Sequence, residues 1–408
     1  MKKLFSNIAY LSTIKGVDLL VPLLVMPYVI KVIGLQEYGI FSLSLLYFNF
    51  IISFTDFGQS LIAIKDIAKT NNKEEKLKFI NQCISIRLML SFFSIIVAFT
   101  IIITLYSDYI WILIAFSCGL IFESLSLAFY YQAQQEMKKI AIIQVLSRLF
   151  MILPIFLLVK DPDDLITYCY LHVSSTIISS ILIYLSCNNF YFIKDFKFII
   201  CKKRMISGWN ICSYQMINGV ILPGVSTFIA SVYTVETVAI FAVIQRILSS
   251  LYRVFEPSII ALYPYLATLS REKNDHFTVR VKQAYLTLFL ILISCIFALS
   301  YFSGIIQGFM VGNKFNGEYQ AFYSIMIYIL IPMVINLFTT RVLVIIGLES
   351  CISKVLVLTT TLITISLLIV FLNSLSIFFV GVSLLFGYSI SMLLILNILN
   401  KGMKNDKE

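Results

Sequence analysis

The sequence predicts an all-α, polytopic membrane protein with twelve transmembrane helices, and three observations carry that reading. Of 408 residues, 60% are hydrophobic and only 13% are charged, where soluble domains carry about 25% charged residues. The apolar residues gather into runs of about twenty, the length that crosses a hydrocarbon core of roughly 30 Å as a helix. The polar ends and breaks alternate in charge: one side holds 22 lysines and arginines, counting Arg280 and Lys282 in the first turn of span 9, the other only Lys31, Lys160 and Lys314. That asymmetry places both termini in the cytoplasm. In such a chain the placement of charge matters more than its sum, so the net charge of +10 implies no nucleic-acid partner.

The start, MKKLFSNIAYLS, has the basic end of a signal peptide but no small-residue cleavage site, and reads as an uncleaved first span over 8–30. Lys15 and Asp18 lie one helical turn apart there, on one face with Pro22. A charge at the centre of a span costs about 2.5–3.5 kcal/mol, so this pair is expected to face protein or water. Span 2 (38–64) carries Asn49 and Asp56, span 3 (81–105) Arg87, span 4 (110–132) Glu123 with Tyr130 and Tyr131 at its end, and span 5 (141–159) Arg148. Span 6 (165–187) closes the first half. Span 7 (208–232) aligns Asn210, Tyr214 and Asn218, and span 8 (238–266) aligns Arg246, Ser249, Arg253 and Glu256, with Tyr263 and Tyr265 at its end. Spans 9 to 12 cover 280–303, 321–346 with Arg341, 355–373 and 377–400.

The eight cysteines are scattered without CxxC pairing, and His172 and His276 lack the partner spacing of a metal or catalytic site. Walker A and GxGxxG patterns are absent, which excludes ATP hydrolysis by a P-loop. The reading is of a protein that is not an enzyme and needs no cofactor. Coupling to H+ or Na+ is open to it through Asp18, Asp56, Glu123 or Glu256, whose proton affinity rises with desolvation.

A shift of 200 residues aligns EYGIFSLSLLYFNFIISFTDF (37–57) on TVAIFAVIQRILSSLYRVFEP (237–257) without gaps. Ile40 falls on Ile240, Phe41 on Phe241 and Asp56 on Glu256, while Pro22 and Pro223 mark similar points of spans 1 and 7. The offset equals half of twelve spans. It predicts two six-helix bundles, residues 1–200 and 201–408, related by a pseudo-two-fold along the membrane normal with a site between them.

Each buried charge has a plainer reading beside the functional one. Arg87, Arg148 and Arg341 lie five to seven residues from a cytoplasmic helix end, within reach of snorkelling. Lys15 with Asp18 and Arg253 with Glu256 form intrahelical pairs, and Arg246 finds a partner on another helix. Taken together, six cations face Asp18, Asp56, Glu123 and Glu256, a surplus of two within the membrane. Such a surplus predicts a water-filled cavity biased toward anions, lined by Lys15, Asp18, Asp56, Arg87, Glu123, Arg148, Arg246, Arg253 and Glu256.

The stretch PLLVMPYVIKVIGLQEYGIFSLSLLYFNFIISFTDFGQSLIAIKDIA (22–68) resembles the N-terminal signature of Wzx-type polysaccharide flippases of the multidrug/oligosaccharidyl-lipid/polysaccharide exporter superfamily. Pro22, Pro27-Tyr28, Gly34, Tyr38-Gly39 and Asp56-Phe57-Gly58 carry it, and Lys31 stands where many relatives have Arg. The resemblance implies a MATE-like fold in a bacterial inner membrane. It implies movement of an undecaprenyl-pyrophosphate-linked repeat unit of O-antigen or a similar polysaccharide to the periplasmic leaflet. The expected partners are that polyprenyl-pyrophosphate-linked glycan, membrane lipid, and a polysaccharide polymerase and chain-length regulator. The chemistry of the residues agrees: arginine forks suit a pyrophosphate, and tyrosines such as Tyr130, Tyr131, Tyr263 and Tyr265 suit a glycan. A drug antiporter of the same superfamily would favour an acidic cavity, and a scaffold would not need ten buried charges.

Overall fold

The computed structural model describes residues 2–69, 72–105, 109–134, 136–187, 198–271, 276–311, 317–346, 348 and 350–405, which are helical almost throughout and, among themselves, hold no strand. Among the described residues, ten stretches are long and apolar enough to cross a membrane, and two further helices contribute the shorter apolar segments Leu20–Ile33 and Gly219–Val232. The protein is an all-α, multi-pass membrane protein.

The chain divides into two compact units, Met1–Val225 and Ser226–Glu408. The first contains α1 (Lys2–Ile33), α2 (Leu35–Asp56), α3 (Gln59–Lys69), α4 (Lys73–Leu105), α5 (Ile110–Leu125), α6 (Ala128–Ala133), α7 (Met137–Leu158), α8 (Leu165–Leu185) and most of α9 (Phe198–Val232). The second contains α10 (Val235–Arg271), α11 (His276–Tyr301), α12 (Ser303–Val311), α13 (Gly317–Tyr328), α14 (Leu330–Ile345), α15 (Ser350–Leu372) and α16 (Ile377–Asn405).

In the first unit α5 packs against α2, α4 and α8, and α7 packs against α1 and α8. The α5–α8 approach depends on Gly119, where an added Cβ would come within 2.7 Å of Val173 Cγ1 and 3.2 Å of Phe48 Cζ. The second unit repeats the pattern: α16 packs against α13, α14 and α15, and α10 against α11, α13 and α14. One closure recurs in each unit. The Tyr28 hydroxyl donates to the Val159 carbonyl that ends α7, at 2.7 Å, and the Tyr233 hydroxyl donates to the Leu375 carbonyl just past α15, at 2.6 Å. In both, a tyrosine hydroxyl supplies a donor to a carbonyl left at the end of a later helix.

Three spans that read as continuous are interrupted. Span 2 ends at Asp56 because Phe57 (φ 48°) and Gly58 (φ 69°) enter the left-handed region, and α3 starts anew at Gln59. Span 4 ends at Leu125, where Ser126 turns extended (φ −61°, ψ 127°) before α6. Span 10 divides at Ile329 into α13 and α14. The first two breaks release short helices, α3 and α6, that pack on each other around a core of Ala63, Ile67, Ile80, Cys83, Leu127 and Phe129.

Candidate functional site

The two interrupted spans of the first unit meet at Arg87. The last turn of α5 leaves carbonyls without helical partners, and a cation near a helix C-terminus is favoured there. Arg87, one turn and a half into the apolar part of α4, supplies it. Its Nη2 donates to the Glu123 carbonyl at 2.6 Å and its Nη1 to the Ser126 carbonyl at 3.2 Å. Its Nε lies 3.6 Å from Asp56 Oδ1, and Nη2 lies 3.9 Å from Glu123 Oε1. The other contacts complete the junction: Ser60 donates to Asp56, Ser91 Oγ donates to the Arg87 carbonyl at 2.8 Å, and Ser91 and Ser124 share a hydrogen bond of 2.5 Å. Arg148 lies within electrostatic reach of Glu123.

This corrects the expectation that Arg87 snorkels. Its side chain is 7% exposed and turns inward, because the broken end of α5 offers it two carbonyls. A guanidinium with its donors committed to main chain is better suited to hold two helix ends than to bind a ligand. Glu123 keeps a side chain that is 33% exposed, and Asp56 one that is 17% exposed.

A second junction was not legible in the sequence. Arg204, near the start of α9, is 8% exposed, and its Nη2 donates to Asp66 Oδ2 on α3 at 2.8 Å. Its Nη1 donates to Gln82 Oε1 on α4 at 2.5 Å, and its guanidinium lies 5.3 Å from the ring centroid of Phe79. The fully buried Gln59 donates from Nε2 to the Arg204 carbonyl at 3.3 Å. Beside it, Phe57 meets Trp209 at 6.1 Å and joins Ile86, Leu90 and Cys212 in a small apolar cluster. In sequence, Arg204 is one of several basic residues in a polar break, and its acid lies 138 residues away.

The remaining candidates are spread through the chain. Arg148 and Arg246 are half-buried and Arg253 is exposed. The Arg246 carbonyl accepts from Ser249 Oγ at 3.0 Å and Ser250 Oγ at 2.7 Å. The side chains of Lys15, Asp18 and Glu256 lie outside the described residues, as do those of Tyr263 and Tyr265. Tyr131, expected to offer its ring to a glycan, is instead 3% exposed in the core around α3 and α6, with its hydroxyl 2.7 Å from Ser186 Oγ. The break after α5 turns it inward.

The family model described as "Polysaccharide biosynthesis protein" matches residues 4–270. The chain is also 25% identical over 179 residues to the Escherichia coli K12 protein named "Putative O-antigen transporter"; the match spans 43% of each. Among solved structures, the chain is similar to the lipid II flippase MurJ in an inward closed conformation, with a TM-score of 0.72 and 17% identity over 97% of this chain and 87% of that one. An inward-facing multidrug resistance transporter of the MATE family is similar with a TM-score of 0.71 and 13% identity, covering 97% and 94%. At such identities these two likenesses establish the fold alone, which the chain shares with both. The signature residues now have physical roles: Gly34 (φ 87°) and Gly58 (φ 69°) are the positive-φ glycines among the described residues, at the two ends of α2. With the family match covering more than half of its length, the chain belongs to the polysaccharide biosynthesis protein family of multi-pass membrane proteins.

Proposed function

We propose that this protein moves a polyprenyl-pyrophosphate-linked oligosaccharide repeat unit, of O-antigen or a similar surface polysaccharide, from the cytoplasmic to the periplasmic leaflet by ion-coupled alternating access. The observation that carries the reading is the family match over residues 4–270. The similar E. coli protein is named as an O-antigen transporter and the structural neighbour as a lipid II flippase, which points to the same class of cargo. Twelve spans in two repeating six-span halves, 1–200 and 201–408, fit the recurring helix neighbours and the paired tyrosine closures. The location is the bacterial inner membrane with both termini in the cytoplasm, and a polymerase and chain-length regulator act on the same cargo.

The charge balance supports an anionic cargo. Arg87 and Arg148 stand against Asp56 and Glu123 in the first unit. That leaves Lys15, Arg246, Arg253 and Arg341 against Asp18 and Glu256, so the surplus of two persists outside the junction. Arg246 is the residue to test, since no acid lies within four positions of it along α10. Losing one charge-assisted hydrogen bond costs about 1.5–3 kcal/mol, or roughly tenfold or more in affinity. In a strain lacking its own flippase, Arg246→Ala and Arg246→Gln are each expected to lower surface polysaccharide at unchanged membrane abundance of the protein. Full surface polysaccharide from both would remove Arg246 from the anion site.

A further inference from the structure

The Arg204 junction joins parts of the chain that the repeat assigns to different halves. Arg204 falls four residues into the second half, 201–408, yet Asp66, Gln82, Phe79 and Gln59 all belong to the first. The boundary between the compact units falls after Val225, inside α9 and two residues beyond Pro223. Proline removes a helical hydrogen bond and loosens a helix at its own position, and next to it Gly224 has no atom within 4 Å of where a Cβ would stand. So α9 is clasped to the first unit at one end and carries a loosened turn where it passes to the second.

The clasp also differs in kind from the Arg87 junction. Arg87 donates to the Glu123 and Ser126 main-chain carbonyls of a broken helix end, which cannot turn away from it, although the Glu123 carbonyl also accepts from the Ser126 N–H at 3.1 Å. Arg204 donates to two side chains, and Asp66 is already 30% exposed. Parting such a clasp costs little only where water replaces its hydrogen bonds and both charges reach solvent, which the part-exposed Asp66 already does. Buried polar contacts of this kind are best attested as devices that select between arrangements.

We propose that Arg204 is a positioning residue for transport: its clasp on Asp66 and Gln82 holds the leading end of α9 against α3 and α4 in one state of the cycle, and the clasp must open for the cycle to turn. The proposal rests on the transport reading above. Its test tethers the clasp shut. Asp66→Cys with Arg204→Cys removes the ion pair and admits a short bifunctional methanethiosulfonate that a reductant cleaves; each single-cysteine variant, treated alike, controls for modification and for the native cysteines. Transport is read in intact cells as surface polysaccharide in a strain that depends on this chain, with cross-linking yield and membrane abundance measured beside it. The double variant, which lacks the clasp, is expected to transport less than the unaltered chain before cross-linking, to stop after it, and to regain its reduced transport on reduction. Transport that survives cross-linking, or that is absent beforehand in a normally abundant protein, overturns the proposal. Should that pair fail to accumulate, Gln82→Cys with Met205→Cys keeps the Arg204–Asp66 bond and carries the same three expectations. Failure of the unaltered chain to restore polysaccharide would instead count against the transport reading itself.

Discussion

Arg87 shows how one side chain stabilises two broken helices at once, and how its contributions separate. The short contacts run to main-chain carbonyls, at 2.6 and 3.2 Å, whereas the carboxylates stand at 3.6 and 3.9 Å. Removing the guanidinium takes a donor from both carbonyls and the nearest cation from both acids, and losing one partner of a buried ionic group costs about 3–5 kcal/mol. Arg87→Ala is therefore expected to lower both membrane abundance and the apparent melting temperature of the detergent-solubilised protein. Arg87→Lys keeps the charge but not the fork that reaches two carbonyls at once, and is expected to lose about 1–3 kcal/mol. Glu123→Gln retains the carbonyl that receives the strongest bond, so its expected cost is under about 1 kcal/mol. If Glu123→Gln proved as damaging as Arg87→Ala, the carboxylate and not the helix end would be the main partner.

At the scale of the helices, packing distance is set by what lacks a side chain. Gly119 allows α5 to meet α8 with Val173 2.7 Å from the place of a Cβ. Gly119→Ala is expected to destabilise by about 1–3 kcal/mol, the usual cost of overpacking. Adding Val173→Ala should recover part of that loss, because it withdraws the methyl that clashes; thermal unfolding of the two single variants and the double variant measures the coupling. The span positions were legible in the sequence because apolar runs of membrane length have few alternative structures in lipid. The breaks were less so. Gly58 sits inside a run, 38–64, that continues apolar beyond the polar stretch Thr55–Ser60 and reads as one span, and a single glycine in a helix is commonly tolerated. Ser126-Leu127 carries neither proline nor glycine, and the turn there exists because Arg87, 39 residues earlier, caps the end it creates. Arg204 was invisible for a related reason: counted by side, it is one more positive charge, and only folding brings Asp66 and Gln82 to it. Helical periodicity places a residue on a face of its own helix, whereas the partners of Arg87, Tyr131 and Arg204 come from distant segments that only folding brings together.

For the whole molecule, the distribution of lysine and arginine makes a claim about sidedness that fusions can read. Alkaline phosphatase attached after residue 403 is expected to be inactive, a fluorescent reporter there to be bright, and phosphatase inserted at 161–163, between α7 and α8, to be active. The reverse pattern would invert the protein in its membrane. The Arg204 clasp bears, finally, on the order in which the protein is made. Ribosomes deliver α1 to α8 into the membrane before Arg204 exists, so Asp66 and Gln82 wait without the partner they end with, and Phe57 waits for Trp209. The first unit is thus completed by the greater part of α9, a segment synthesised only after α1 to α8. A nascent chain released after residue 200 should be cleared quickly by membrane proteases, whereas one released after residue 225 should outlast it in a pulse-chase, though only 25 residues separate them.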